Sequence, residues 1–232
     1  MRLAIIPARS GSTRIKNKNV KELCGKPLLI YSLETAHSSD LFDEVHVSTD
    51  STEYVSIVEK YGYQVDFLRE SRLAGNRSSI VEILRWVIKE YEKQGKYFDE
   101  VCMLMATAPL IESDDLKKGY ELFVKHKRLI PVLSVASFAA PVERGFKVRK
   151  DGILEPMFEE KREMHSQDFD TSYHDAGAFF FIKTEQLMKG SDKVINNFLP
   201  YILPRYKVVD IDELEDFHTA EILYLGRKAI RE

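Results

Sequence analysis

Short unbroken apolar runs alternate along this chain with longer segments in which apolar residues return every three or four positions. Leu3 to Ile6, EVHVST from Glu44 to Thr49, Glu100 to Met105, Pro131 to Ala136 and AFFFI after Gly177 have the length and composition of buried strands. Between them, Leu28 to Ala36, Thr52 to Tyr61 and Glu112 to Lys125 read as helices. The clearest amphipathic helix is Ser79 to Gln94, where Ile83, Leu84, Val87, Ile88 and Tyr91 form one face and Ser79 with Glu82 makes a capping box. Alternation of this kind predicts right-handed crossovers and a mostly parallel sheet covered on both faces. The loops after Ile6, Thr49, Met105 and Ala136 should then meet at the carboxyl ends of the strands, where ligands bind in such sheets.

The rhythm breaks between Ser137 and Tyr173, a stretch of prolines, aromatics and short mixed segments. It reads as an antiparallel insertion without its own periodic core, inside one domain spanning 1–232. Near the end, Val208, Val209 and Ile211 suggest a last strand that places Asp210 and Asp212 on one side.

The stretch Ile5 to Pro27 carries the first candidate chemistry. Pro7 stops a strand abruptly, and Arg9, Arg14, Lys16, Lys18, Lys21 and Lys26 follow among Ala8, Ser10, Gly11, Ser12 and Thr13, with Glu22 the one acid. Small residues let a ligand approach the backbone, and the cations neutralise charge, so the loop suits a polyphosphate. It is neither a Walker A loop nor a G-x-G-x-x-G turn. Asp210 and Asp212 are the second. Two close carboxylates repel unless a cation lies between them, and Mg²⁺ is the natural one; the alternative is a helix cap, since Asp212 precedes the acidic Glu213 and Glu215.

Composition narrows the field. With 232 residues, 44% hydrophobic and 31% charged, the chain can bury a full α/β core, and its net charge of -3 gives no general reason for nucleic-acid binding. No apolar run approaches a membrane span and Met1-Arg2 leads straight into the first strand, so a cytoplasmic protein without membrane attachment is expected. Two cysteines, Cys24 and Cys102, make no disulfide framework or thiolate metal site. His165 and His174 lack zinc-site spacing, and His37, His46, His126 and His218 read as surface or edge residues.

The order P-A-R-x-G-S, K-N and G-K-P-L, followed by LFDEVHVSTD, ATAP, SQD, YHDAG and DIDELEDF, resembles the cytidylyltransferases that activate nine-carbon acidic sugars. The resemblance spans Ile5 to Phe217. It implies a three-layer, Rossmann-like nucleotidyltransferase fold and a reaction of CTP with a nonulosonic acid, giving the CMP-sugar and pyrophosphate. By the same resemblance Arg9 and Lys18 hold the phosphates, Ala8, Ser12, Thr13 and Asn19 complete the loop, and Arg69, Asn76 and Ser79 border the nucleotide. Asp210 and Asp212 would hold Mg²⁺, or Mn²⁺. The sugar would touch Thr107, His165, Gln167, Asp168, His174 and Asp175, and the insertion would form a two-fold homodimer. Pseudaminic acid matches the motifs best, with legionaminic, N-acetylneuraminic and ketodeoxyoctonic acids as alternatives. Two departures stand out: Thr13 replaces a usual Lys and His165 a usual Arg. They leave open a weakened, nucleotide-binding relative.

Overall fold

In a computed structural model, which describes residues 1–75, 78–189 and 197–231, ten strands and six α-helices follow one another. The strands are β1 (Arg2–Pro7), β2 (Glu22–Leu23), β3 (Lys26–Pro27), β4 (Glu44–Ser48), β5 (Glu100–Leu104), β6 (Val132–Ser137), β7 (Phe146–Val148), β8 (Leu154–Pro156), β9 (Tyr173–Lys183) and β10 (Leu199–Ile202). The helices are α1 (Leu28–Ser38), α2 (Thr52–Lys60), α3 (Ile80–Lys93), α4 (Ser113–Lys125), α5 (Thr184–Lys189) and α6 (Leu214–Arg231).

Successive side chains of a strand face opposite ways, and in β1 both faces are buried. Leu3 and Ile5 join Leu84, Val87, Ile88 and Tyr91 of α3 on one side. Ala4 and Ile6 join Leu29 and Leu33 of α1 and Leu116 and Phe123 of α4 on the other. This is why the run Leu3 to Ile6 is apolar without alternation. The resulting sheet has the order β10-β6-β9-β5-β1-β4. β1 pairs in parallel with β4 and β5, as β10 does with β6. β9 alone runs antiparallel, between β5 and β6. Sheet and helices thus make the expected three layers, and the box that Ser79 and Glu82 predict caps α3.

Register slips where β9 meets β6. Leu133 lies opposite Phe180 but Val135 opposite Asp175, so β9 carries extra residues there. Gly177 takes the turn with a φ of 58°, and the Ser134 hydroxyl fills the break, donating to the Phe179 carbonyl (2.8 Å) and accepting the Phe179 N–H (2.9 Å). The bulge re-aims Tyr173 to Gly177 toward Asp210, whose Oδ1 lies 3.7 Å from where a Cβ on Gly177 would sit.

Two expectations need correction. The residues from Val208 to Ile211 form no strand; Ile211 is fully buried, but against Ile15, Leu23, Leu28 and Phe217 in a third cluster that docks α6. The remaining strand is β10, an edge strand that tolerates Pro200 because its missing N–H needs no partner. His46 is no surface residue: it is buried, stacked on Phe67 at 4.3 Å and edge-on to Tyr91.

Between β6 and β9 lie the β7–β8 hairpin and short 3₁₀ turns. None of the described residues from 137 to 173 belongs to the buried clusters, while Phe146, Val148, Ile153 and Leu154 are exposed.

Candidate nucleotide site

At the carboxyl ends of β1, β4 and β5 lies a cleft of about 290 Å³. Arg9, Ser12, Thr13, Arg14, Lys18 and Asn19 line it from the loop after β1, Met105 and Thr107 from the loop after β5, and Arg69 and Asp212 from further along the chain. Leu73, Ile80 and Ile83 supply an apolar wall, with Ser78 beside them. The loops after β4 and β6 do not line it: the first lies behind the wall, where Ser48 and Thr49 hold Ala8 and Arg69, and the second leads into the hairpin.

The loop is braced from several directions. Ala8 is fully buried and its N–H is donated to the Ser48 carbonyl at 2.9 Å, so it anchors the loop instead of facing a ligand. The Asn19 amide donates to the Arg9 carbonyl at 2.9 Å. Arg69 is only 4% exposed, and its guanidinium donates to the hydroxyl and carbonyl of Ser48. Burial pushes its pKa down to about 10, opposed by the charge of Asp50 and aided by that of Arg9, so it stays cationic at neutral pH. A buried, charged, pre-oriented guanidinium beside an apolar wall suits a polar ring edge or an anion.

Lys18 reaches across to the segment before α6, with its ammonium 3.2 Å from Asp212 and donating to the Ile211 carbonyl. Arg14 lies 2.8 Å from the same carboxylate, so it brings the cation that Thr13 lacks to this wall of the cleft. Asp212 faces these cations, and the carboxylate that reaches back to the N–H groups of Asp212 and Glu213 is Asp216. That division of labour favours the ligand-facing reading of Asp212 over the cap. Asp210 is held above the usual carboxylate range, first by burial and then by Asp212, with Lys18 opposing and Asp216 and Asp175 adding. Asp210, raised by burial and by neighbouring carboxylates, and Asp212 beside it supply hard oxygen donors of the kind Mg²⁺ or Mn²⁺ takes. Among the described residues no group of three or more His, Cys, Asp or Glu is placed to hold a metal, so an ion on Asp210 and Asp212 would need further ligands from phosphate and water.

The remaining candidates lie elsewhere. Ser79 spends its hydroxyl on the Glu82 N–H, and Ser78 lines the cleft in its place. Asn76 lies outside the described residues. Asp175 accepts the Gly177 N–H at 2.8 Å on the bulged part of β9, and His174 packs on Phe138 at 5.0 Å. His165, Gln167 and Asp168 sit exposed on a 3₁₀ turn of the insertion, where the Asp168 carboxylate accepts the His165 N–H at 3.1 Å. They do not line the cleft. Cys24 is no reactive thiolate, since burial and Glu221 push its thiol up.

The cytidylyltransferase family profile matches residues 3–151. The chain belongs to the cytidylyltransferase family. Its curated relatives include the pseudaminic acid cytidylyltransferase of Campylobacter jejuni subsp. jejuni serotype O:2, 37% identical over 96% of this chain and 95% of the relative. The N-acylneuraminate cytidylyltransferase of Escherichia coli O18:K1:H7 is 30% identical over 94% of this chain and 51% of its own length. Among solved structures, a CMP:2-keto-3-deoxy-manno-octonic acid synthetase complexed with CTP superposes with a TM-score of 0.72, covering 97% of this chain and 99% of that one at 15% identity. That likeness speaks to the fold. The matches place this cytidylyltransferase among enzymes that use CTP to make CMP-sugars.

Proposed function

We propose that the chain transfers CMP from CTP to pseudaminic acid, releasing pyrophosphate. The observation that carries the reading is one cleft in which Arg9, Lys18 and Arg69 gather opposite Asp212 in a cytidylyltransferase 37% identical to a pseudaminic acid cytidylyltransferase.

In this mechanism the sugar hydroxyl attacks the α-phosphorus in line with the departing pyrophosphate, so positioning and charge stabilisation dominate. Arg9 and Lys18 hold the phosphates and take up charge that grows on the leaving group, helped by Ser12, Thr13 and the neighbouring Arg14. Arg69, Ser78 and the apolar wall orient the nucleoside, with Asn76 and Ser79 flanking it. Asp210 and Asp212 would hold a divalent cation, Mg²⁺ or Mn²⁺, and that ion would neutralise phosphate charge. Lys18 and Arg14, paired with Asp212 in the free chain, turn to the phosphates of CTP. The sugar lies beside Thr107 and the bulge at His174 and Asp175, and His165, Gln167 and Asp168 close over it from the insertion of this chain or of a second copy.

A homodimer built on the exposed apolar residues of the insertion would bring that turn to a cleft which it does not line within one chain. A cytoplasmic setting agrees with the substrates, and among the described residues no helix is long and apolar enough to cross a membrane. Incubating CTP with pseudaminic, legionaminic, N-acetylneuraminic and ketodeoxyoctonic acids in separate reactions, and comparing the rate at which each gives its CMP-sugar and pyrophosphate, tests the sugar. CMP-pseudaminic acid is expected to form fastest; faster formation of a different CMP-sugar reassigns the substrate.

A further inference from the structure

Three consecutive residues where β4 ends, Ser48, Thr49 and Asp50, grip two parts of the cleft wall at once. The Ser48 carbonyl accepts the Ala8 N–H and the Arg69 guanidinium, and the Thr49 carbonyl accepts the Arg69 backbone N–H at 2.7 Å. Asp50 takes both donors of Ser10: the N–H on Oδ1 at 2.9 Å and the hydroxyl on Oδ2 at 2.8 Å. With Asn19 holding the Arg9 carbonyl, the main chain of Arg9 is fixed on both flanks and at its own oxygen.

We propose that Asp50 is a positioning residue for the nucleotide: through both donors of Ser10 it fixes the backbone that carries Arg9. The inference rests on reading this cleft as the CTP site. Helix capping does not explain Asp50, because the side chain that caps α2 is Ser51, accepting the Tyr54 N–H. A carboxylate accepts both Ser10 donors on its two oxygens; an asparagine in its place keeps the N–H on Oδ1 but takes the hydroxyl only with that bond reversed, and it loses the negative charge that strengthens both bonds. Burial raises the pKa of Asp50, but the Ser10 hydrogen bonds outweigh it, with its own N–H and the Arg69 charge adding, so the carboxyl is held below its usual range. Asp50 is therefore anionic at neutral pH.

The test compares wild type with Asp50→Asn, Asp50→Ala and Ser10→Ala. Calorimetric titration with CTP in the absence of sugar gives the Kd, steady-state assays give the KM of each substrate, and melting gives Tm. Asp50→Asn is expected to raise the CTP Kd and KM roughly tenfold, the loss typical of a charge-assisted hydrogen bond, while the sugar KM stays at its wild-type value. Ser10→Ala keeps the backbone contact and gives a smaller rise of the same kind. Unchanged CTP affinity in Asp50→Asn overturns the proposal, as does a rise in both KM values that tracks a fall in Tm. If Asp50→Ala fails to fold, Ser10→Ala decides: wild-type CTP affinity there counts against the clamp. A wild-type chain that does not bind CTP overturns the reading of the cleft itself.

Discussion

The Lys18 ammonium lies 3.2 Å from the Asp212 carboxylate, joining residues 194 apart in sequence. It ties the basic loop after β1 to the acidic segment before α6. Lys18→Met should lower kcat/KM for CTP roughly a hundredfold, the cost of losing one charge-stabilising donor. Asp212→Asn should behave differently. It lowers kcat while the CTP KM stays level or falls, because Lys18 and Arg14 are released toward phosphate. A kinetic comparison of the two variants checks this; full kcat in Asp212→Asn with only a lower Tm would return Asp212 to a structural role.

Assembly is the next expectation. Phe146, Val148 and Leu154 of the β7–β8 hairpin are more than half exposed and belong to none of the buried clusters. Light scattering at micromolar concentration should give a dimer, and Phe146→Glu with Leu154→Glu should give a monomer with a raised sugar KM. A wild-type monomer with full activity would remove the dimer from the account.

Stability should fall toward acid because of His46. Burial pushes its pKa down to about 3, opposed by Asp66 and aided by Arg69, so the folded state keeps the ring neutral. The unfolded chain takes up a proton below about pH 6.5, so stability declines as pH falls from there toward 3, by about 2 kcal/mol at pH 5 from this group. Both ring nitrogens lack a hydrogen-bond partner among the described residues, so His46→Leu removes no polar contact. Its Tm should hold at pH 7 and drop less steeply than wild type between pH 6.5 and 4. Parallel melting curves across that range would contradict the assignment.

Gly119 on α4 faces the buried rings of β9. A Cβ there would stand 2.8 Å from the Phe179 ring and 3.3 Å from that of Phe181. Gly119→Ala should therefore destabilise by roughly 1–3 kcal/mol despite the better helix propensity of alanine. Urea unfolding measures it, and a stabilised variant would mean that the rings give way.

Much of this architecture is legible in the chain because local signals and burial agree. The capping box of Ser79 and Glu82, the apolar run of β1 and the basic loop after it each announce their role. Val208, Val209 and Ile211 mislead because β-branched residues suit burial in any extended segment, and here Ile211 packs against α6 without a pairing partner. The antiparallel direction of β9 leaves no local mark, since Phe179, Phe180 and Phe181 are buried on both faces whichever way they run. Within the site, Arg9, Lys18, Arg69 and Asp212 were readable from composition and resemblance. Asp50 and Ser78 were not: one works through Ser10 and the other differs from Ser79 only in which neighbour spends its hydroxyl on the cap.

The most direct measurement is pyrophosphate release by the purified chain with CTP or UTP, with and without pseudaminic acid, in Mg²⁺ and in excess chelator. Release with CTP, sugar and Mg²⁺ together, falling to background when any one is withdrawn or UTP is substituted, is the expected result. Equal release with UTP, or none with any nonulosonic acid, would contradict a CTP-dependent sugar cytidylyltransferase.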